Sequence, residues 1–226
     1  MSEQLSANLV KVLNSGAEKK LAIEGAELEE LPLGGIEGKK YRLTVPSPLS
    51  SEHGKLAEPL IFIVKESKYD DFDELNEVIK AYRVLYAKGY PVPGTVRRYD
   101  QPSMKSYLIS SDMTEGGKQW VWGVNDDPTD QELETLREMN FTVKDIADLE
   151  IQARAIAEKA TADQINLDTY YYHIRKNKET GKVEIILLDI YPKSMFVPWK
   201  QEGTNQDKVT EFFKEMRVEM SKLTTR

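Results

Sequence analysis

The strongest constraint on the fold is a change of pattern halfway along the chain. After a short helical pattern at residues 5–13, the first half is dominated by short runs of β-favouring residues bounded by Gly, Pro, Ser or Asp. One amphipathic helical stretch, at residues 71–88, interrupts them. Residues 111–117 contain adjacent glycines and no periodicity, which is typical of a linker. Helical periodicity dominates the remainder. This order predicts an α+β protein of two lobes, a β-rich lobe at residues 1–112 and a mainly helical lobe with one β-hairpin at residues 113–226.

The elements within each lobe follow from local patterns. Strands are predicted in the first lobe at residues 41–45, 60–64, 96–99 and 107–110. Its helix is predicted to bury Leu75, Val78, Ile79, Tyr82, Leu85 and Tyr86. In the second lobe, helices are predicted at residues 130–139 and 142–160, and hairpin strands at 170–176 and 183–188. Thr142 and Asp145 form a capping box that begins the longer helix. The last helix is predicted to bury Val209, Phe212, Phe213, Met216, Met220 and Leu223.

Composition narrows the classes of function. The chain has no Cys, which excludes disulfides, thiolate catalysis and Cys-ligated zinc or iron–sulfur centres. Its formal net charge of −7 argues against nucleic-acid or anionic-membrane partners, whose affinity comes mainly from Lys and Arg. The longest apolar runs are far shorter than the ~20 residues that span a bilayer, and the N-terminus lacks the pattern of a signal peptide. A cytoplasmic location is therefore expected.

Several common catalytic motifs are missing from the sequence. Histidine occurs only at His53 and His173, and there is no Gly-x-Ser-x-Gly elbow, so a Ser-His-Asp hydrolase is not expected. The sequence also lacks the usual zinc-ligand spacings, a Walker A motif and a strand-linked dinucleotide fingerprint. Any chemistry must come from less specific features.

Three features of the first lobe suit phosphate binding. Gly34, Gly35 and Gly38 precede a predicted strand, and glycines in a turn between strands let backbone amides approach a phosphate. An ordinary hairpin turn is the alternative. Lys65 closes an apolar strand, either as a solvated strand end or as a cation that pairs with phosphate oxygens. Glu77, in the acidic start of the next helix, either favours the helix dipole or points towards a strand lysine.

Two aspartates flank the predicted hairpin of the second lobe. Asp189 ends a strongly apolar strand, and Asp168 precedes its partner strand. Because the start of one strand meets the end of the other in an antiparallel hairpin, the two carboxylates can sit together and hold a divalent cation that bridges phosphates. Each aspartate is equally well explained as a residue that caps a turn.

In order and spacing, these residues resemble the protein-kinase-like fold, in particular its small branches, the RIO kinases and the aminoglycoside-phosphotransferase-like kinases. The resemblance covers roughly residues 31–191. Residues 33–38 occupy the place of the Gly-rich loop, and residues 77–93 are similar to the helix C segment. Residues 188–191 resemble the Asp-Phe-Gly segment without its Gly. Little chain follows this segment, so the resemblance implies a two-lobed kinase-like fold with a much reduced C-lobe and no peptide-binding activation segment.

The resemblance also implies an activity. The protein would be an ATP-dependent phosphotransferase that transfers the γ-phosphoryl group to an unknown small-molecule or protein hydroxyl. Glu77 would position Lys65, and Asp168 and Asp189 would bind Mg²⁺. The residues implied to hold the nucleotide are Gly34, Gly35, Gly38, Lys65 and Met113.

The catalytic loop fits the family pattern His-Gly-Asp-Leu-x-x-x-Asn-Ile in two registers. In the first, Asp163 is the base that accepts the proton of the acceptor hydroxyl, and Asp168 binds the metal. In the second, Asp168 is the base and His173 binds the metal. The first register is favoured because Mg²⁺ prefers oxygen ligands to imidazole, although Thr161 and Ala162 then replace His and Gly.

These departures from the family pattern leave two other functions open. One is a pseudokinase, a nucleotide-binding or protein-interaction module without efficient transfer, in which Lys65 and Glu77 form only a structural ion pair. The other is an α+β interaction protein unrelated to kinases. Its candidate contact surface is residues 119–123, where Trp120 and Trp122 lie close together in sequence. Packing of these tryptophans in the core or over the cleft between lobes is favoured over a contact role.

Overall fold

The computed structural model describes residues 27–31, 40–45, 59–66, 72–93, 96–100, 106–124, 129–190, 195 and 205–224. The chain divides into two compact units. The first comprises Met1–Ile79 and Gly94–Asp112, and the second comprises Lys80–Pro93 and Met113–Arg226. Residues 80–93, which lie within the predicted first lobe, are thus grouped with the second unit.

The first unit contains a five-stranded antiparallel sheet. Its strands are β1 (Glu27–Leu31), β2 (Lys40–Val45), β3 (Leu60–Glu66), β4 (Val96–Asp100) and β5 (Ser106–Ser111), in the order β1-β2-β3-β5-β4. The alternation expected of a half-buried strand is clear in β2, where Tyr41, Leu43 and Val45 are buried. The four predicted strands are confirmed. β1 was not predicted, because its three glutamates and two leucines lack the β-branched and aromatic residues that mark strands.

Helix α1 (Phe72–Ala87) connects β3 to β4 in sequence. It ends in a Schellman motif, since the N–H of Gly89 donates to the Tyr86 carbonyl (2.9 Å) and that of Tyr90 donates to the Leu85 carbonyl (3.0 Å). Gly89 supplies the left-handed conformation that this motif needs (φ +78°). Ile79 and Leu85 are buried as predicted, but Tyr86 is 61% exposed, so its assignment to the buried face was wrong. It lies one step beyond Leu85, on the solvent side of the helix.

The second unit combines helices with a three-stranded antiparallel sheet in the order β6-β7-β8. The elements are β6 (Gln119–Gly123), α2 (Asp130–Glu138), α3 (Val143–Asp163), a 3₁₀ turn (Thr169–Tyr171), β7 (Tyr172–Asn177), β8 (Val183–Leu187) and α4 (Asn205–Thr224). The predicted hairpin is confirmed as β7–β8. The prediction of a hairpin alone was wrong, because β6 pairs with β7 along its whole length. None of the helices in the described residues is long and apolar enough to cross a membrane.

Helix α3 forms where its capping pattern predicts. The N–H of Asp145 donates to Thr142 Oγ1 (3.2 Å), and the N–H of Thr142 donates to Asp145 Oδ2 (2.8 Å). Its buried face includes Ile146, Leu149 and Ala153, and it packs against α4. The stripe predicted on α4 is confirmed for the residues whose burial is described: Val209, Phe212, Phe213, Met216 and Met220.

The outer edge of β8 is covered by other parts of the second unit. Gln152 of α3 donates from Nε2 to the Val183 carbonyl (3.1 Å) and accepts at Oε1 from the Ile185 N–H (2.9 Å). The Pro91 carbonyl accepts from the Leu187 N–H (2.7 Å). A side-chain amide thus makes the pair of hydrogen bonds that a further strand would make, which closes this edge to pairing.

Candidate functional site

Asp168 and Asp189 lie at the same end of the β7–β8 hairpin. Tyr172 of β7 pairs with Leu187 of β8, and beyond this pair the Leu188 N–H donates to the Tyr171 carbonyl (2.8 Å). Asp189 directly follows Leu188 in the chain. Asp168 caps the 3₁₀ turn that leads into β7. The register that the sequence predicts for this hairpin end is therefore confirmed.

Asp168 is half-buried and caps the 3₁₀ turn. Its Oδ1 accepts from the backbone N–H of Tyr170 (3.4 Å) and from the hydroxyl of Thr169 (3.3 Å). Both hydrogen bonds involve the same carboxylate oxygen. A capping role and a metal-ligand role are therefore compatible, because a carboxylate has a second oxygen with its own lone pairs.

Asp189 has the left-handed backbone conformation (φ +51°), which a residue other than Gly rarely adopts. Its side chain is 55% exposed. Such conformations cost roughly 1–2 kcal/mol and cluster at functional sites. Asp and Asn tolerate this conformation better than other residues that have a Cβ. Gly would adopt it with less strain, so the position carries a carboxylate at some cost in backbone energy.

His173 lies beside Asp189 and was assigned no role in the favoured register. Its Nε2 is 3.7 Å from Asp189 Oδ2, and its Nδ1 is 3.3 Å from the Tyr171 carbonyl oxygen. His173 of β7 pairs with Gly123 of β6, and a Cβ built at Gly123 would lie only 3.3 Å from His173 Nε2. A glycine at this place leaves room for the imidazole ring. The β7–β8 register could have predicted this proximity from the sequence, because it brings His173 to the end of the hairpin that carries Asp189.

Asp163 is the last residue of α3 and accepts three hydrogen bonds. The donors are Lys159 Nζ (3.1 Å), Lys88 Nζ (3.1 Å) and the Tyr90 hydroxyl (2.9 Å). They lower the pKa of Asp163 to about 2. Burial, together with the neighbouring Asp163 carboxylate, raises the pKa of Tyr90. Asp163 thus fastens the segment after α1 to the end of α3, a structural role that the sequence did not reveal. Its assignment as the catalytic base stays a prediction.

The predicted phosphate-binding residues lie mainly in the first unit. Lys65 is half-buried in β3, opposite Lys40 of β2 and Leu108 of β5. Glu77 is exposed in the first half of α1, and Met113, half-buried, is the first residue of the second unit after β5. The three glycines Gly34, Gly35 and Gly38 lie outside the described residues. They belong to the segment that joins β1 to β2, two strands that pair antiparallel with Leu31 opposite Lys40.

A groove of about 740 Å³ lies at the opposite end of the hairpin, beside the start of α3. Its lining includes Asp145, Lys176 and the hairpin turn but neither Asp168 nor Asp189. Lys176 is buried, and its ammonium lies 2.9 Å from Asp145 Oδ2. Although burial raises the pKa of Asp145, hydrogen bonds from Lys176 and Thr142 hold it below its ordinary value. Lys176 and Asp145 neutralise each other, and the groove lies away from Asp168 and Asp189, so it adds nothing to the predicted site.

Among the described residues, no three or more His, Asp or Glu side chains cluster closely enough to form a metal site by themselves. The sequence matches no protein-family model, and no curated protein matches it.

Proposed function

We propose that the protein is a small kinase-like phosphotransferase that binds ATP with Mg²⁺ and transfers the γ-phosphoryl group to a hydroxyl acceptor. One observation carries the proposal: Asp168 and Asp189 lie at the same end of the β7–β8 hairpin, one half-buried and one largely exposed. Mg²⁺ is commonly held by one or two carboxylates together with substrate phosphates. Two protein carboxylates therefore suffice, and a third acidic ligand is not required.

The first sheet supplies a second line of support. A strand hairpin, β1–β2, is joined by the glycine-containing segment, and the following strand, β3, carries Lys65 close to its end. In the proposed mechanism, backbone amides at Gly34, Gly35 and Gly38 approach the phosphates, and Lys65, oriented by Glu77, neutralises their charge. Met113 contacts the nucleotide base. Catalysis of this kind consists mostly of positioning and charge neutralisation.

The hydrogen bonds to Asp163 favour a second candidate function, nucleotide binding without efficient transfer. A carboxylate that already accepts from two lysines and a tyrosine, with a pKa of about 2, is a weak base. If transfer occurs, the alternative register, with Asp168 as the base, becomes the one to test. If transfer does not occur, the protein is a pseudokinase that keeps the nucleotide site.

Thermal-shift titration with ATP, with and without Mg²⁺, tests the metal assignment. Asp168→Asn and Asp189→Asn remove one charge each while keeping a residue that caps a 3₁₀ turn or tolerates the left-handed conformation. Asp148→Asn, at an exposed position of α3, is the matched control. Ligand at ~100 times its Kd stabilises by about 2.7 kcal/mol. We expect this shift in the wild type and the control only with Mg²⁺, and a strongly reduced shift in both site variants.

Phosphoryl transfer and ATP hydrolysis then separate the two candidate functions. Turnover that is kept in Asp163→Asn but lost in Asp189→Asn, and lost in an Asp168→Asn variant that still shows the Mg²⁺-dependent shift, supports the phosphotransferase with Asp168 as base. Loss of turnover in a folded Asp163→Asn variant supports Asp163 instead. Mg²⁺-dependent ATP binding without any turnover supports the pseudokinase. The whole proposal fails if millimolar ATP stabilises neither the wild type nor the control.

A further inference from the structure

His173 and Asp189 bring an imidazole nitrogen and a carboxylate oxygen together at the end of the β7–β8 hairpin. His173 Nε2 lies 3.7 Å from Asp189 Oδ2. This separation is longer than the roughly 2.7–3.2 Å of a direct N–H···O hydrogen bond. It is shorter than twice the distance of about 2.0–2.2 Å at which imidazole and carboxylate ligands bind zinc. One cation can therefore contact both atoms with little movement of either side chain.

The hydrogen bond of the other ring nitrogen determines which tautomer His173 adopts. Nδ1 lies 3.3 Å from the Tyr171 carbonyl oxygen, which can only accept a hydrogen bond, so Nδ1 carries the hydrogen. In the neutral ring Nε2 then has the lone pair, and Nε2 is the nitrogen that faces Asp189. Histidines that bind metals usually donate their other N–H to a carbonyl or a carboxylate, which orients the ring in this way.

The backbone around this pair leaves room at Nε2, and Asp189 is open to solvent. His173 pairs with Gly123 of β6, where any Cβ would stand 3.3 Å from Nε2 and crowd it. The side chain of His173 is only 15% exposed, whereas that of Asp189 is largely exposed. A hydrated cation can thus reach the carboxylate first and the imidazole from there.

The two ligand types favour one class of cation. Mg²⁺ prefers oxygen ligands and gives up its water reluctantly, whereas imidazole suits divalent transition metals and zinc. Among the described residues, no third His, Asp or Glu side chain joins the pair closely enough to complete a site, so water or phosphate oxygens must supply the remaining ligands. The pair therefore suits an open site for a cation that accepts both nitrogen and oxygen.

We propose that His173 Nε2 and Asp189 bind a divalent ion of the Mn²⁺-to-Zn²⁺ class, and bind it more tightly than Mg²⁺. The inference rests on the proposed function in one respect, the role of Asp189 as a metal ligand, and it requires neither ATP nor phosphoryl transfer. It gives His173 a role that the favoured catalytic-loop register does not. For the proposed phosphotransferase, it predicts that Mn²⁺ supports ATP binding better than Mg²⁺.

The chain has only two histidines, so the imidazole of His173 can be observed by itself in a His53→Gln variant. Nitrogen–proton correlation spectra, recorded without nucleotide at about pH 8, where an ordinary imidazole is neutral, identify the tautomer and the nitrogen that binds a metal. We expect the Nδ1–H tautomer in the metal-free protein. Zn²⁺ should shift the Nε2 resonance, and Mg²⁺ at the same concentration should not. Calorimetric titration should show Zn²⁺ binding at least about tenfold tighter than Mg²⁺.

Substitutions at three positions test the geometry in the same His53→Gln background. Asp189→Asn and His173→Gln should each weaken Zn²⁺ binding by at least about tenfold, because loss of even a hydrogen-bond partner of a ligating His costs about 10–100-fold in affinity. Gly123→Ala keeps both ligands but crowds Nε2, so it should also weaken binding. Asp148→Asn, at an exposed position of α3, is the matched control and should bind Zn²⁺ like its parent. The Asp189→Asn variant decides the matter if His173→Gln does not fold.

The proposal is overturned if Zn²⁺ leaves the Nε2 resonance of His173 unchanged, if the metal-free ring carries its hydrogen on Nε2, or if a folded His173→Gln or Asp189→Asn variant binds Zn²⁺ as tightly as its parent. Titration of the same proteins with ATP and Mg²⁺ separates this result from the proposed function. Zn²⁺ binding at Nε2 in a protein that binds no ATP supports the metal site and refutes the phosphotransferase. Mg²⁺-dependent ATP binding in a protein whose Nε2 resonance ignores Zn²⁺ overturns the metal site and leaves the phosphotransferase standing.

Discussion

Gln152 is expected to be a main determinant of the stability of the second unit, because its side-chain amide replaces a missing strand at the edge of β8. Gln152→Ala removes the hydrogen bonds to the Val183 carbonyl and from the Ile185 N–H. Both bonds are only partly buried, so the net value of roughly 0.5–1.5 kcal/mol per bond applies rather than the full penalty of a buried orphan group. The expected loss is about 1–3 kcal/mol, reduced by a few tenths because Ala favours helix.

Urea denaturation followed by tryptophan fluorescence measures this loss selectively, since all three tryptophans of the chain belong to the second unit. Gln131→Ala, at an exposed position of α2, is the matched control and should change the free energy of unfolding by less than about 0.5 kcal/mol. Gln152→Glu should cost at least as much as Gln152→Ala at neutral pH, because a carboxylate oxygen then faces the Val183 carbonyl. The account of this edge is refuted if Gln152→Ala unfolds at the wild-type urea concentration with an unchanged m-value.

Three further predictions concern the candidate site and its surroundings. Because the folded pKa of Asp163 is lowered to about 2, the stability it contributes is fully present above pH ~4 and is lost as the pH falls towards 2. Asp163→Asn should therefore destabilise at pH 7 and flatten acid unfolding in this window, and a wild-type slope in the variant would contradict the ion-pair assignment. Gly123→Ala should cost up to ~2 kcal/mol, because crowding of His173 Nε2 (~1–3 kcal/mol) is partly offset by the roughly 0.5–1 kcal/mol that Ala gains over Gly within a strand. His173→Ala should remove most of the crowding cost in a double-mutant cycle, and additive effects would refute the contact. Asp189→Gly should relieve the strain of the left-handed conformation, so the free energy of unfolding should stay unchanged or rise by up to ~1 kcal/mol. The same substitution should abolish the Mg²⁺-dependent response to ATP. A clear loss of stability would show that the Asp189 side chain supports the fold.

Local signals decided which parts of the fold could be predicted from the sequence. The capping box at Thr142 and Asp145 and the β7–β8 hairpin depend on residues close together in the chain, and both form as predicted. β1 was missed because its glutamates obscure the strand pattern, and β6 was missed because it directly follows a glycine-rich linker.

The candidate site shows the same division between local and distant determinants. The position of Asp168 and Asp189 at one end of the hairpin follows from its register alone and could be predicted. The contacts of Asp163 with Lys88 and Tyr90 join residues more than seventy positions apart, so only tertiary packing reveals them. The proximity of His173 and Asp189 could be predicted in part. The hairpin register brings the two residues to the same end, but the sequence does not show that Gly123 leaves room for the imidazole ring.

The proposed function depends above all on the binding of Mg²⁺ by Asp189 together with the phosphates of ATP. Calorimetric titration of ATP into the wild type and into Asp189→Asn, each with and without Mg²⁺, measures it most directly. We expect Mg²⁺ to tighten ATP binding to the wild type by at least about tenfold, or ~1.4 kcal/mol, and to have little effect on binding to the variant. Equal Mg²⁺ dependence in the two proteins, or no ATP binding by the wild type at millimolar concentration, would contradict it.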